Sequence, residues 1–303
     1  MMPTLESVSG VPPVRCACID IGSNTTRLLV ADRIDARLER IYEQRVFTHI
    51  GRDVRGAGRL SESKSREVCE VVSGMLARAQ ELGAEQVRGV ATAAIRQAAN
   101  GPSLVAEVRA ACGVEIEILS PEEEARLAFA GAARTLDRVP EGDLGVVDVG
   151  GGSSELVVGA FPDQVSWFAS FGLGSSELAH ACLVSDPPSE DEISDARSRV
   201  TNAFNGLTAP QPVEAVAVGG SATSLSRLAG ALLDADAFSR SLALLAERPA
   251  QEVAHQFGLE VERVRLLPAG LLILQAASQC LGSPLRVANG GLREGVLLER
   301  CHG

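Results

Sequence analysis

Two carboxylates flanking a run of glycines are the residues here best suited to chemistry. In GVVDVGGGSSELVVG, residues 145–159, Asp148 sits in an apolar run. Glu155 lies across a bare loop formed by Gly150, Gly151, Gly152 and Ser153. A charge within an apolar run is costly unless it is paired or bound to a metal. Two carboxylates beside a phosphate-binding loop suit Mg2+, which takes one or two carboxylates, phosphate oxygens and several waters. The competing reading has Asp148 accepting backbone hydrogen bonds in its own turn, as Asp often does.

Three more glycine turns follow apolar stretches: Gly22-Ser23-Asn24, Gly219-Gly220-Ser221 and Gly290-Gly291. Backbone N–H groups in such turns can converge on phosphate oxygens, because no Cβ blocks the approach. One alone reads as an ordinary hairpin. Several, each at the end of an apolar strand, mark the place where α/β sheets bind ligands. The first turn also echoes the opening motif. Placing Asp20 on Asp148 puts Ile19 on Val147, Gly22 on Gly150, Leu28 on Leu156 and Val30 on Val158, an offset of 128 residues. Arg27 then takes the place of Glu155, so one lip of a cleft would carry an acid and the other a base. The echo predicts two similarly built domains.

Glu124 emerges by subtraction. In ILSPEEEARLAF, Ser120 reads as an N-cap, Pro121 as N1 and Glu123 as the N3 partner of a capping box. Glu122 reads as a solvated first-turn acid facing the helix dipole. Glu124 has no such structural task, and it shares a helix line with Leu127 and Ala128. It is a candidate general base, or equally a surface or paired Glu. Arg96, in VATAAIRQ, follows an apolar strand, and its rigid fork suits phosphate oxygens. A salt bridge to a nearby acid is the alternative. QRVFTHIGRDVRGAGRL reads as a loop whose Arg45, Arg52, Arg55 and Arg59 either guide an anion or are simply solvated.

These residues need a scaffold of alternating strands and helices. VRCACIDIGSNTTRLLVADR reads as strand, turn and strand, and residues 61–82 as an amphipathic helix with a Ser cap and a closing Gly83. A strand running into a loop, a helix ending at Gly113, a strand at VEIEILS and the Glu124 helix follow. After the second hairpin come helices near 175–184 and 189–207, then strand, Gly-Gly and helix in VEAVAVGGSATSLSRLAGAL. LRVANGGLREGVLLERC closes with a strand and a helix. The class is α/β.

Composition narrows the function. The chain has 303 residues, 46% of them hydrophobic, enough for one large or two medium cores. Aromatics make up only 3%, too few for stacking on bases, and a net charge of -11 argues against nucleic acid as a partner. The seven cysteines form no CxxC pair and read as reduced thiols, with Cys16 and Cys18 on one face of a strand. The first 13 residues read as a loose tail without a signal peptide. LLPAGLLILQAASQCLG, residues 266–282, is shorter than the ~20 residues of a membrane span and reads as a buried helix. A cytoplasmic protein without a membrane partner is expected.

Taken together, IDIGSNTTRLLV, TAAIRQA, EEEARLAFAG, VVDVGGGSSELVVG, AVGGSATSL, RLLPAGLLIL and NGGLREGVL resemble the exopolyphosphatase/guanosine pentaphosphate phosphatase family. That family belongs to the superfamily of actin, sugar kinases and heat-shock chaperones. The resemblance implies two ribonuclease-H-like domains with the active site in the cleft between them. It divides the chain into 14–128, rejoined by the last helix over 292–302, and 129–291. It implies hydrolysis of the terminal phosphate of inorganic polyphosphate or of guanosine pentaphosphate. Glu124 matches the catalytic base, and Asp148 and Glu155 match the pair that binds Mg2+ or another divalent cation. Arg96 matches a phosphate-contacting arginine, while Asp20, Ser23, Asn24 and the Gly150–Ser153 loop match phosphate loops. Gly22, Arg27, Gly219 and Gly220 join them as substrate-binding candidates. Longer members add a helical C-terminal region, so the sequence reads as the short, two-domain form, in which a homodimer is allowed. A kinase or ATPase of the same superfamily is the rival, with AVGGSATSL as its nucleotide loop.

Overall fold

A computed structural model describes residues 13–35 and 37–301. The tail expected over residues 1–13 lies, apart from Pro13, outside the described residues. The chain opens with β1 (Val14–Ile21), β2 (Thr25–Ile34) and β3 (Arg37–Phe47). Then come α1 (Ile50–Ala57), α2 (Glu62–Glu81), β4 (Gln86–Ala91), α3 (Ala93–Gln97) and α4 (Gly101–Cys112). β5 (Ile116–Ile118) and α5 (Pro121–Arg134) complete the first half.

The second half restarts the pattern with β6 (Leu144–Val149), β7 (Ser154–Ala160) and β8 (Gln164–Phe171). Next are α6 (Ser175–Cys182), α7 (Glu190–Phe204), β9 (Glu214–Val218), α8 (Gly219–Ala229) and β10 (Leu232–Leu233). α9 (Ala235–Glu247), α10 (Ala250–Phe257), α11 (Val261–Leu281), β11 (Leu285–Val287) and α12 (Leu292–Arg300) end it.

Each half builds one sheet, and the two sheets share an order. The first runs β3-β2-β1-β4-β5 and the second β8-β7-β6-β9-β11, with β10 added at its far edge. In both, the first and second strands are antiparallel and the first and fourth are parallel. This repeated order is the two-domain ribonuclease-H-like, α/β architecture. The central strands are covered on both faces, which explains their nearly continuous apolar sequence. Ala17, Ile19 and Ile21 point into the core with α2 and α4, while Cys16 and Cys18 pack with Leu297 and Cys301 on the other face.

Two loops expected from sequence are structured. The segment holding Arg45, Arg52 and Arg55 is the end of β3 followed by α1, not a loop. β3 is an edge strand with its charges facing water, so its apolar pattern is faint; in α1, Ile50 and Val54 bury one face. Likewise β4 leads into the helical turn α3, which buries Ala93, Ala94 and Ile95.

α5 and α12 cross between the sheets. α5 sets Ala125, Phe129 and Ala132 against Val146, Val157 and Val216 of the second sheet, whereas its Leu127 reaches the first-sheet core. The division at 128/129 therefore falls inside a helix that serves both halves. α12 packs on α5 and β1. A Cβ on Gly131 would stand 2.0 Å from the Gly291 carbonyl, so the crossing requires the glycine. α11 has the length and composition of a membrane span, but 67% of its most apolar stretch is buried within the second half. It contacts α6, α7, α8, α9 and α10 as that half's core helix.

Candidate active site

The two hairpin loops meet across a cleft of about 560 Å³. Local hydrogen bonds set each loop: Gly22 N–H donates to Thr25 O at 3.0 Å, and Gly150 N–H donates to Ser153 O at 3.0 Å. Their outward carbonyls are taken up by the next helix. Gly51 N–H donates to Ser23 O, and Ser176 and Glu177 N–H donate to Gly151 O. Among the described residues, the N–H groups of Ser23, Asn24, Gly151 and Gly152 find no acceptor. They are free to bind an anion.

The triple glycine has a cause in packing alone. A Cβ on Gly152 would stand 2.2 Å from Ser23 Oγ, and one on Gly151 3.0 Å from Asn24 Cβ. The two loops thus press together in a way that only glycine permits. Gly219, with φ +82°, starts α8 rather than forming a free turn, and its missing Cβ leaves room for the Asp148 carboxylate. Gly220 lies against the guanidinium groups of Arg27 and Arg263.

Asp20, Glu124, Asp148 and Glu155 are among the carboxylates that line this cleft. Asp148 and Glu155 face each other on β6 and β7, as Asp20 and Arg27 do on β1 and β2. Burial pushes Glu124 up to about 7; Arg96 opposes this, and Asp20 and Asp148 add to it. Burial lifts Asp148 to about 6, with Arg27 opposing and Asp20 assisting. Glu155 is driven well above the usual carboxylate range by burial, then by Glu124 and Asp148. Asp20 is raised by burial against Arg27 and Arg293, and its Oδ1 is buried without a hydrogen-bond partner.

This concentration of negative charge fits a hard cation. Among the described residues, no group of three or more His, Cys, Asp or Glu is arranged to hold a metal by itself. The all-oxygen donor set matches Mg2+, which completes its shell with phosphate oxygens and water. Asp148 and Glu155 could hold such a cation, and Ser170 Oγ donates to Glu155 Oε1 at 3.0 Å.

All the site residues expected from sequence line the cleft, with one exception. Arg96 stands outside the lining. Its Nη1 donates to Leu119 O at 2.6 Å and to Glu124 Oε2 at 3.0 Å. The salt-bridge reading of Arg96 is the one seen here. Gly290 serves packing against Gly131 and Thr135, although it also borders the cleft. Of the arginines expected in a loop, Arg45 reaches the cleft, whereas Arg52 and Arg55 bind His180 and Glu177.

Sequence reasoning assigned no role to Arg263 and Arg293. Arg263 is 5% exposed, its Nε has no partner, and burial lowers it to about 9. Arg263 stands between Val261 and Leu266 at the start of an apolar helix, but Arg265 two residues on shares that position, so the sequence did not single it out. Arg293, inside NGGLREGVL, donates to Leu28 O and Glu43.

Comparison with known proteins agrees with this geometry. The sequence profile of the Ppx/GppA phosphatase family matches residues 29–302. Exopolyphosphatase 2 of Mycobacterium tuberculosis is 32% identical over 74% of this chain and 73% of its own length. The guanosine-5'-triphosphate,3'-diphosphate pyrophosphatase of Aeromonas hydrophila is 29% identical over 93% of this chain and 58% of its own. The crystal structure of the Aquifex aeolicus Ppx/GppA family member superposes with a TM-score of 0.80 at 31% identity, covering 95% of this chain and 98% of that one. With its paired glycine loops, its carboxylate-lined cleft and these relatives, the chain belongs to the Ppx/GppA phosphatase family.

Proposed function

We propose that the protein is an exopolyphosphatase that removes the terminal phosphate of inorganic polyphosphate by attack of water. One observation carries this reading: both glycine loops and the carboxylates of Asp20, Glu124, Asp148 and Glu155 converge on a single cleft, with Glu124 buried at its wall. The free loop N–H groups hold the terminal phosphoryl oxygens, and Arg27 and Arg263 offset the charge of the chain. Glu124 orients a water in line with the scissile anhydride bond and takes its proton. The water oxygen bonds to the terminal phosphorus as the bridging oxygen leaves with the shortened chain. Mg2+ on Asp148 and Glu155 would spread the charge of the phosphates. A loose transition state needs little nucleophilic push, so a carboxylate suffices as the base. A side chain titrating near neutrality is well matched to that task.

The test is phosphate release by the purified protein with Mg2+ and no acceptor. Tripolyphosphate, long-chain polyphosphate and guanosine pentaphosphate are compared. Release from polyphosphate is expected, with Glu124→Gln lowering turnover ~10²–10⁴-fold while substrate still binds. Release from guanosine pentaphosphate alone would instead select the guanosine pentaphosphate phosphohydrolase activity. Release that requires ADP would select a kinase, and no release from any substrate would overturn the proposal.

A further inference from the structure

Arg96 sits behind the cleft wall, on α3, and faces Glu124 rather than the space where substrate would lie. Its Nη1 bridges two acceptors, the Leu119 carbonyl and Glu124 Oε2. Leu119 immediately precedes Ser120, the N-cap of α5, whose Oγ accepts from Glu123 N–H. One guanidinium nitrogen therefore holds both the entry to the helix and the carboxylate carried on its first turn. Glu124 Oε1 has no protein partner among the described residues. The carboxylate is thus clamped through one oxygen and free at the other. Nη1 is taken up by these two acceptors, and no part of Arg96 is among the residues that line the cleft.

We propose that Arg96 is a positioning residue for Glu124, orienting the free oxygen toward the attacking water without touching substrate. The inference rests on the reading of Glu124 as the base. A phosphate-contacting arginine and a positioning arginine differ in what they change. Loss of a contact made equally in ground and transition states raises KM; loss of base orientation lowers kcat.

The experiment uses Arg96→Gln and Arg96→Lys in the full chain, with melting curves to confirm folding. Arg96→Gln is expected to lower kcat about 10²-fold with KM within about threefold of wild type. Arg96→Lys keeps the charge and has donors enough for both acceptors, so it is expected to recover most of kcat. Calorimetry of tripolyphosphate binding to Glu124→Gln, with and without Arg96→Gln, is expected to give equal affinities. A tenfold or greater loss of affinity, or a KM effect shared by the Lys variant, would overturn the inference. Binding is read without turnover, so the two ideas fail separately. An inactive wild type sinks the role of Glu124, whereas weakened binding sinks the role given to Arg96.

Discussion

The β1–β2 and β6–β7 hairpins repeat each other in backbone detail. Each closes with the same glycine N–H to carbonyl bond, at 3.0 Å in both. Each second strand then shifts register at the corresponding place, between Val30 and Ala31 and between Val158 and Gly159. The cross-strand pair at the mouth differs. The first hairpin sets Asp20 opposite Arg27; the second sets Asp148 opposite Glu155. In the first, the arginine opposes the upward drift of the acid. In the second, burial and then Glu124 and Asp148 push Glu155 up, and the hydroxyls of Ser153 and Ser170 oppose this. One backbone has thus been given two electrostatic tasks, and the cleft is polarised from lip to lip.

Neutralising the second pair attacks the comparison most directly. Glu155→Gln removes one of two like charges but keeps an acceptor for Ser170. Turnover is expected to fall ~10²–10³-fold, the usual cost of losing one preorganised charge-stabilising group. The melting temperature without divalent cation is expected to rise by about 2–4 °C, because a buried repulsion is gone. Steady-state kinetics and thermal melts read the two effects. A variant that lost stability as well as activity would show that Glu155 is paired in a way the cross-strand comparison does not allow.

Arg27→Gln removes the one base that distinguishes the first lip. A KM for tripolyphosphate raised about tenfold, with kcat within a few-fold, is expected from the loss of one charged phosphate contact. An unchanged KM would place the electropositive work of the cleft on Arg263 and Arg293 instead.

How much of this was legible before the structure depends on distance along the chain. The hairpins were readable because glycine turns and apolar alternation are local. Glu124 was readable because Ser120 and Pro121 accounted for the neighbouring helix start, and Ser120 does cap Glu123 N–H. The capping box itself does not close. Glu123 gives its carboxylate to Arg126 and to Arg300, and Arg300 arrives from 177 residues away on α12. The two readings of Arg96 were left open for the same reason, since its acceptors lie 23 and 28 residues further on. β3 escaped because an edge strand with a charged outer face has little apolar period to read. The glycines at 151 and 152 were read as a phosphate loop, but the opposing Ser23 and Asn24 that press on them belong to tertiary contact.

The smallest expected effect tests whether the charge imbalance is present in the folded protein at all. Asp20, Glu124, Asp148 and Glu155 all titrate above their unfolded values, which lie near ~4. A carboxyl raised by folding contributes stability that is complete below its unfolded pKa and is lost as pH rises through its folded one. For Asp148 and Glu124 the loss runs from near ~4 through about 6 and about 7. The melting temperature of metal-free protein is therefore expected to fall between pH 5 and pH 8. Mg2+ competes with protons for these oxygens, so its stabilisation should be larger at pH 8 than at pH 5. A ligand at a hundred times its Kd contributes about 2.7 kcal/mol, a shift of several degrees. Thermal melts at both pH values, with and without MgCl2, give four numbers and one difference. The difference should shrink in Glu155→Gln and persist in Arg27→Gln, because only the first variant alters the lip that carries the paired acids. An equal Mg2+ effect at both pH values would mean that the cation binds away from the second hairpin.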